Sequence, residues 1–268
     1  MTAARAGAAR PSLGITCSGN FFGFDVLRAV EDLGFDAFYT GEHFIYDKGI
    51  QDALPVLGAA VGATSRIAIG SAAFIAPLYP PILLAKACSS LDVLSGGRLI
   101  AGIGVGGEFP AEFEAFGIPT AKRGARCDEV IDLLRAFWSG DAVAYHGEFY
   151  DLDVPGIEPP PVQQGGPPIW VTGRSNPAMR RAALRGDGFM PYLVSADSYG
   201  QRVAFITSEA AKAGRELPGD YAWGVRIEMC VADDDQTANQ RVTDALSWRF
   251  GKPFAPAQAE RYSIAGTA

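Results

Sequence analysis

Glu42 and His43 stand side by side in the run Thr40-Gly41-Glu42-His43-Phe44, which ends a short apolar segment. A carboxylate next to an imidazole can hydrogen-bond the edge of a ligand ring and exchange protons near neutral pH. The plainer reading is a hydrogen-bonded His at a strand end, with Glu42 in an ion pair. A second segment, Gly102-Ile103-Gly104-Val105-Gly106-Gly107, satisfies G-x-G-x-x-G. It follows the fourth apolar run rather than the first, and the acidic stretch Glu108–Glu114 comes before any helix, so a dinucleotide fingerprint is disfavoured. Glycines at a strand end still let backbone approach a flat ligand closely. A third segment, Val171-Thr172-Gly173-Arg174-Ser175-Asn176-Pro177, combines a tight turn, a capping Ser or Asn and a Pro suited to the first helical position. N–H groups at such a helix start, with Arg174, make an anion site; a capped helix with a solvated Arg explains the same residues. The small residues of Gly70-Ser71-Ala72-Ala73 either leave room for a ligand or fill a crowded interior.

Hydrophobic periodicity places these segments. Short apolar runs at 12–17, 35–40, 66–74, 98–103, 169–171, 188–193 and 225–232 alternate with longer amphipathic stretches. This is the βαβα pattern of a parallel sheet, in which the carboxyl ends of the strands form the site face. Seven β/α units are legible, and an eighth would begin after Gly266. The expectation is one α/β domain over residues 12–268, a barrel that stops a unit early. A seven-stranded open doubly wound sheet is the alternative. Residues 140–167 look irregular, and His146, within Tyr145-His146-Gly147-Glu148-Phe149-Tyr150, suits a surface hairpin better than a site.

The chain has 268 residues, 48% of them hydrophobic and 20% charged, the balance of a folded protein. A net charge of −7 argues against nucleic acid or an anionic membrane as partner. Cys17, Cys88, Cys127 and Cys230 are widely spaced, which fits a reducing cytoplasm better than a disulfide frame. With two histidines, a multi-histidine metal site is not expected, and no metal is assigned. Residues 1–11, rich in Ala and Arg, read as a disordered tail rather than a secretory signal, and no apolar run is long enough to span a bilayer.

Taken together and in order, these pieces resemble the bacterial luciferase-like superfamily of flavin- and deazaflavin-dependent oxidoreductases. The resemblance runs from Leu13 to Asp187. It includes Leu33-Gly34-Phe35-Asp36 into Gly41-Glu42-His43, Thr64-Ser65-Arg66-Ile67 into Gly70, and Leu91-Asp92-Val93-Leu94-Ser95-Gly96-Gly97-Arg98 into Gly102-Ile103-Gly104. Glu112-Phe113-Glu114-Ala115-Phe116-Gly117, Pro168-Ile169-Trp170-Val171 and Gly186-Asp187-Gly188 continue it.

The resemblance implies a TIM-type (β/α)8 barrel, here missing its last β/α unit, and it is strongest to the branch that uses coenzyme F420. On that resemblance Glu42 and His43 lie by the deazaflavin ring, with His43 the proton donor or acceptor. A non-proline cis bond near Ala73–Phe74 presses on the ring, Gly104, Gly106 and Gly107 edge it, and Gly173, Arg174 and Ser175 hold the phosphate. Phe21, Phe22, Phe44 and Phe109 wall a pocket for a small organic substrate. Sugar-phosphate dehydrogenases of that branch carry an acid and an Asn where this chain has Gly107 and Pro110, which argues against that chemistry here. The alternatives are an FMN-dependent monooxygenase using molecular oxygen, and a non-catalytic truncated relative acting as a binding or assembly partner. Unpaired edge strands would favour a homodimer.

Overall fold

The computed structural model describes residues 11–17, 22–47 and 49–267. Phe21, and all of the expected tail but Pro11, lie outside them. The chain divides into two compact units, Met1–Pro167 and Pro168–Ala268.

The first unit opens with β1 (Gly14–Cys17), α1 (Phe24–Asp32), β2 (Ala37–Thr40), α2 (Ala53–Ala63), β3 (Ala68–Ser71) and β4 (Phe74–Ile75). It continues through α3 (Pro81–Ser95), β5 (Leu99–Gly104), α4 (Pro110–Ala115), α5 (Arg123–Trp138), β6 (Val143–His146) and β7 (Asp151–Val154). β1, β2, β3 and β5 pair in that order, all parallel, and β4 adds to β5 with Phe74 opposite Ile103. β2 to β5 are mostly buried on both faces, which is why they read as nearly continuous apolar runs, whereas β1 is only half-buried. Phe38, Ile69, Phe74, Leu99 and Ile103 are fully buried. Helix ends follow local chemistry: Asp52 caps α2 by accepting from Leu54 N at 2.9 Å, and α3 starts on Pro81 and stops at left-handed Gly96.

Close packing explains the small residues of the third run. A methyl group at Gly70 would lie 2.9 Å from the Tyr39 ring, and one at Gly102 only 1.9 Å from the Ser71 carbonyl oxygen. These positions fill a crowded interior. The third run is two strands rather than one, interrupted by a cis peptide bond at Ala72–Ala73, one bond before the expected place. The stretch 140–167, expected to be irregular, contains the antiparallel hairpin β6–β7. The exposed His146 sits on it, 2.5 Å from Asp151. Glu129 on α5 fastens the hairpin turn by accepting from the N–H groups of Glu148, Phe149 and Tyr150 at 2.6, 3.0 and 3.2 Å.

The second unit comprises β8 (Ile169–Val171), α6 (Asn176–Arg185), β9 (Gly188–Phe189), α7 (Ala196–Lys212) and β10 (Ala222–Trp223). β11 (Glu228–Val231), α8 (Asp235–Phe250), α9 (Pro256–Ala259) and β12 (Ser263–Gly266) complete it. β8, β9 and β10 pair parallel. The run expected at 225–232 does two jobs. Its first part continues β10 beside β9, through the Tyr192–Arg226 bridge, and its second part, β11, pairs parallel with β12. β12 is a strand where the sequence suggested none before Gly266. Ser-Ile-Ala-Gly has one β-branched residue and no period to announce it.

Candidate active site

In the first unit the carboxyl ends of the parallel strands carry the residues the sequence marked. β2 ends at Thr40, whose carbonyl accepts from Ala72 N at 2.7 Å, so the Glu42 loop and the cis segment are tied together. Glu42 is buried and forms no ion pair among the described residues. Its Oε1 accepts from the Tyr79 hydroxyl at 2.5 Å and its Oε2 from the Ile75 N–H at 2.8 Å. Burial pushes its carboxyl up to about 7; the two hydrogen bonds oppose the rise, and the charges of Asp52 and Glu112 add to it. Glu42 therefore braces the segment after β4 from within.

His43 is partly exposed, with 21% of its side chain accessible, whereas Glu112 on α4 has none. His43 Nδ1 lies 3.3 and 3.2 Å from the two Glu112 oxygens. Glu112 Oε1 also accepts from the N–H groups of Phe44 at 2.6 Å and Ile45 at 3.3 Å. The imidazole stacks on Tyr46, with centroids 4.9 Å apart, and meets the edge of Phe109 at 4.9 Å. Glu112 was visible only as part of the family text. Its contacts cross 69 residues, and no local signal reports them.

Next to this pair the chain presents backbone. Ala72 and Ala73 are half-buried, as are Gly104, Gly106 and Gly107. Gly106 and Gly107 have φ of 58° and 96°, and a methyl group on either would strike Ile75 at 2.5 Å or Arg123 at 2.6 Å. Phe74, expected at the ring, is fully buried in the core, where β4 sets it opposite Ile103.

The expected phenylalanine wall is not one wall. Phe109 lies against His43, as above. Phe44 packs on the cluster of Ile75, Leu78 and Phe113 and against the Phe116 ring at 4.9 Å. Phe22 meets Phe38 edge-on at 5.9 Å and lines a cavity of about 350 Å³ with Phe24, Leu27, Pro55 and Val56. Phe44 is partly buried and packs with the edge of that apolar cluster.

In the second unit Gly173 has φ of 112° and turns β8 into α6. Ser175 caps that helix by accepting from Ala178 N. Arg174 is exposed, and its guanidinium lies 4.6 Å over the Tyr192 ring, which in turn stacks on Phe250. An exposed guanidinium at a capped helix start is the donor set that takes a phosphate.

Among the described residues no cluster of His, Cys, Asp and Glu could hold a metal ion, and no helix is long and apolar enough to cross a membrane.

A family model described as luciferase-like monooxygenase matches residues 24–268. An uncharacterized protein of Mycobacterium tuberculosis is 39% identical over 164 residues, 61% of this chain and 56% of that relative. The chain thus spans just over half of that relative's length. An F420-dependent glucose-6-phosphate dehydrogenase of Nocardia farcinica is 30% identical over 266 residues, covering 94% of this chain and 76% of the relative.

Among solved structures, an F420-dependent secondary alcohol dehydrogenase with an F420–acetone adduct superposes with a TM-score of 0.81 at 20% identity, over 95% of this chain and 84% of that one. The oxygenating constituent of 3,6-diketocamphane monooxygenase of Pseudomonas putida, in complex with FMN, gives 0.74 at 21%, over 91% and 78%. The likeness carries the fold: a TIM-type α/β barrel that is incomplete, as the sequence suggested.

Proposed function

The chain belongs to the luciferase-like monooxygenase family, and we propose that it is an oxidoreductase transferring a hydride between coenzyme F420 and a small organic substrate. The observation that carries this reading is the partly exposed imidazole of His43, held on one nitrogen by buried Glu112, at the carboxyl end of a parallel strand. The F420-dependent relative that covers 94% of the chain supports the deazaflavin. In this reading residues 12–268 act as one domain.

The residues present suit a planar ring. Ala72, Ala73, Gly104, Gly106 and Gly107 offer backbone where side chains would block a close approach. When bound, the deazaflavin supplies the carbon that gives or takes the hydride. Ala73 and the three glycines would hold the ring, and Phe74 would contribute only through its main chain. Glu42 would act from behind, holding Ile75 in place. His43 would move the proton that accompanies the hydride, through Nε2, the ring nitrogen Glu112 does not engage. Phe109, edge-on to His43, would exclude water on that side. Gly173, Arg174 and Ser175 would take the phosphate. Gly107 and Pro110 supply neither an acid nor an amide to grip a sugar, which favours a less polar substrate than a sugar phosphate. The wide spacing of the four cysteines suits a reducing cytoplasm.

An FMN-dependent monooxygenase is the second reading, favoured by the FMN-bound neighbour, because both rings need the same backbone platform. Titrating the purified protein with each cofactor decides. Micromolar binding of F420 without FMN supports the first reading. FMN binding with oxygen uptake by the reduced flavin supports the second. Binding of neither overturns both.

A further inference from the structure

Glu112 accepts two main-chain N–H groups and turns the same carboxylate toward a ring nitrogen of His43. Its Oε1 takes the main-chain N–H groups of Phe44 and Ile45, and the carboxylate as a whole faces Nδ1 of His43. Main-chain N–H groups are obligatory donors, so the Oε1 lone pairs are committed. An ionised carboxylate is acceptor-only, and a neutral imidazole facing it must carry its proton on the near nitrogen. Tyr46 and Phe109 hold the ring between a stacked face and a perpendicular edge, which opposes a flip exchanging the two nitrogens.

We propose that Glu112 is a positioning residue that fixes the tautomer of His43, keeping the ring proton on Nδ1 and leaving Nε2 bare to exchange a proton with the ligand. This rests on the role given to His43 above. It adds a second duty to the same carboxylate: the loop that carries the imidazole is shaped by the group that sets the imidazole's proton, so loop geometry and proton position are established together.

The test reads the tautomer directly and needs neither cofactor nor turnover. The chain has two histidines, and H146Q removes the signal of the exposed one. Nitrogen-15 multiple-bond spectra of the full chain are recorded at an alkaline pH at which the spectra themselves show the ring to be neutral. The expected result is a single His43 pattern with the proton on Nδ1. In E112Q the amide oxygen stays on the two main-chain N–H groups, so the amide NH2 faces Nδ1, and the ring proton should move to Nε2. A melting curve reports whether E112Q folds. If it does not, E112D serves: its carboxylate withdraws from the ring, and the two tautomers should mix.

A wild-type ring protonated on Nε2, the pattern a protonated Glu112 would impose, overturns the proposal. So does a folded E112Q or E112D that keeps the single Nδ1–H pattern. Because the spectra are taken without cofactor, failure here leaves the cofactor titration standing, and failure there leaves this result standing.

Discussion

Glu42 and Tyr79 share a hydrogen bond of 2.5 Å, formed inside the protein rather than at a ligand surface. With the Ile75 N–H on its other oxygen, the Glu42 carboxyl is fully engaged from below. Its cost is electrostatic. Burial holds its pKa at about 7, where an unfolded Glu sits at 4.5. Between those values the folded chain keeps a proton that the unfolded chain has released. Stability therefore falls as pH rises through this window, by about 3 kcal/mol at full expression, and levels above it. Urea unfolding from about pH 5 to 8 should show that decline in wild type and its loss in E42Q, which has nothing to titrate. Parallel curves for the two proteins would refute it.

Replacing His43 by Asn should lower turnover by about 10²- to 10⁴-fold, the usual worth of a positioned acid–base group. Affinity for whichever cofactor binds should change only a few-fold. Steady-state kinetics beside a binding titration separates the two, and a variant retaining full turnover removes His43 from the chemistry.

Arg174 should matter to binding and little to folding, since it is exposed and rests on Tyr192. R174A should weaken cofactor binding by about tenfold, the scale of one charge-assisted hydrogen bond, with the melting temperature unchanged. Equal affinity in variant and wild type would take the phosphate elsewhere.

Gly107 and Gly117 offer a matched pair. Both have positive φ, 96° and 66°, but a methyl group meets Arg123 at 2.6 Å in the first and open space in the second. G117A should cost about 1 kcal/mol from backbone strain alone, and G107A more, about 2–3 kcal/mol. Urea midpoints give both, and equal losses would mean that the contact with Arg123 is relieved freely.

Much of the frame was legible because burial on both faces writes strands as apolar runs: 35–40 and 98–103 were plain for that reason. Glu42 and His43 could be singled out as neighbours at a strand end. Their partners could not be, since Tyr79 and Glu112 stand 37 and 69 residues away. Sequence adjacency suggested that Glu42 and His43 act alike. The fold turns Glu42 inward and leaves His43 partly exposed. Phe44 was assigned to a pocket because aromatic rings serve cores and pockets equally, whereas Phe74 was named only as one side of the expected cis bond, which falls one bond earlier. The strand Ser263–Gly266 was missed because its pairing with Glu228–Val231, not its own propensity, makes it a strand.

The contacts around Glu42 close on themselves. Glu42 holds the Ile75 amide, the Ile75 side chain clusters with Phe113, Phe113 adjoins Glu112 in α4, and Glu112 grips His43, the residue after Glu42. Five residues thus form a hoop, two of them apolar, Ile75 and Phe113. Shaving Phe113, which carries no titrating group itself, should loosen the grip on the imidazole, so that a lesion in oily packing would surface as a defect in acid–base chemistry.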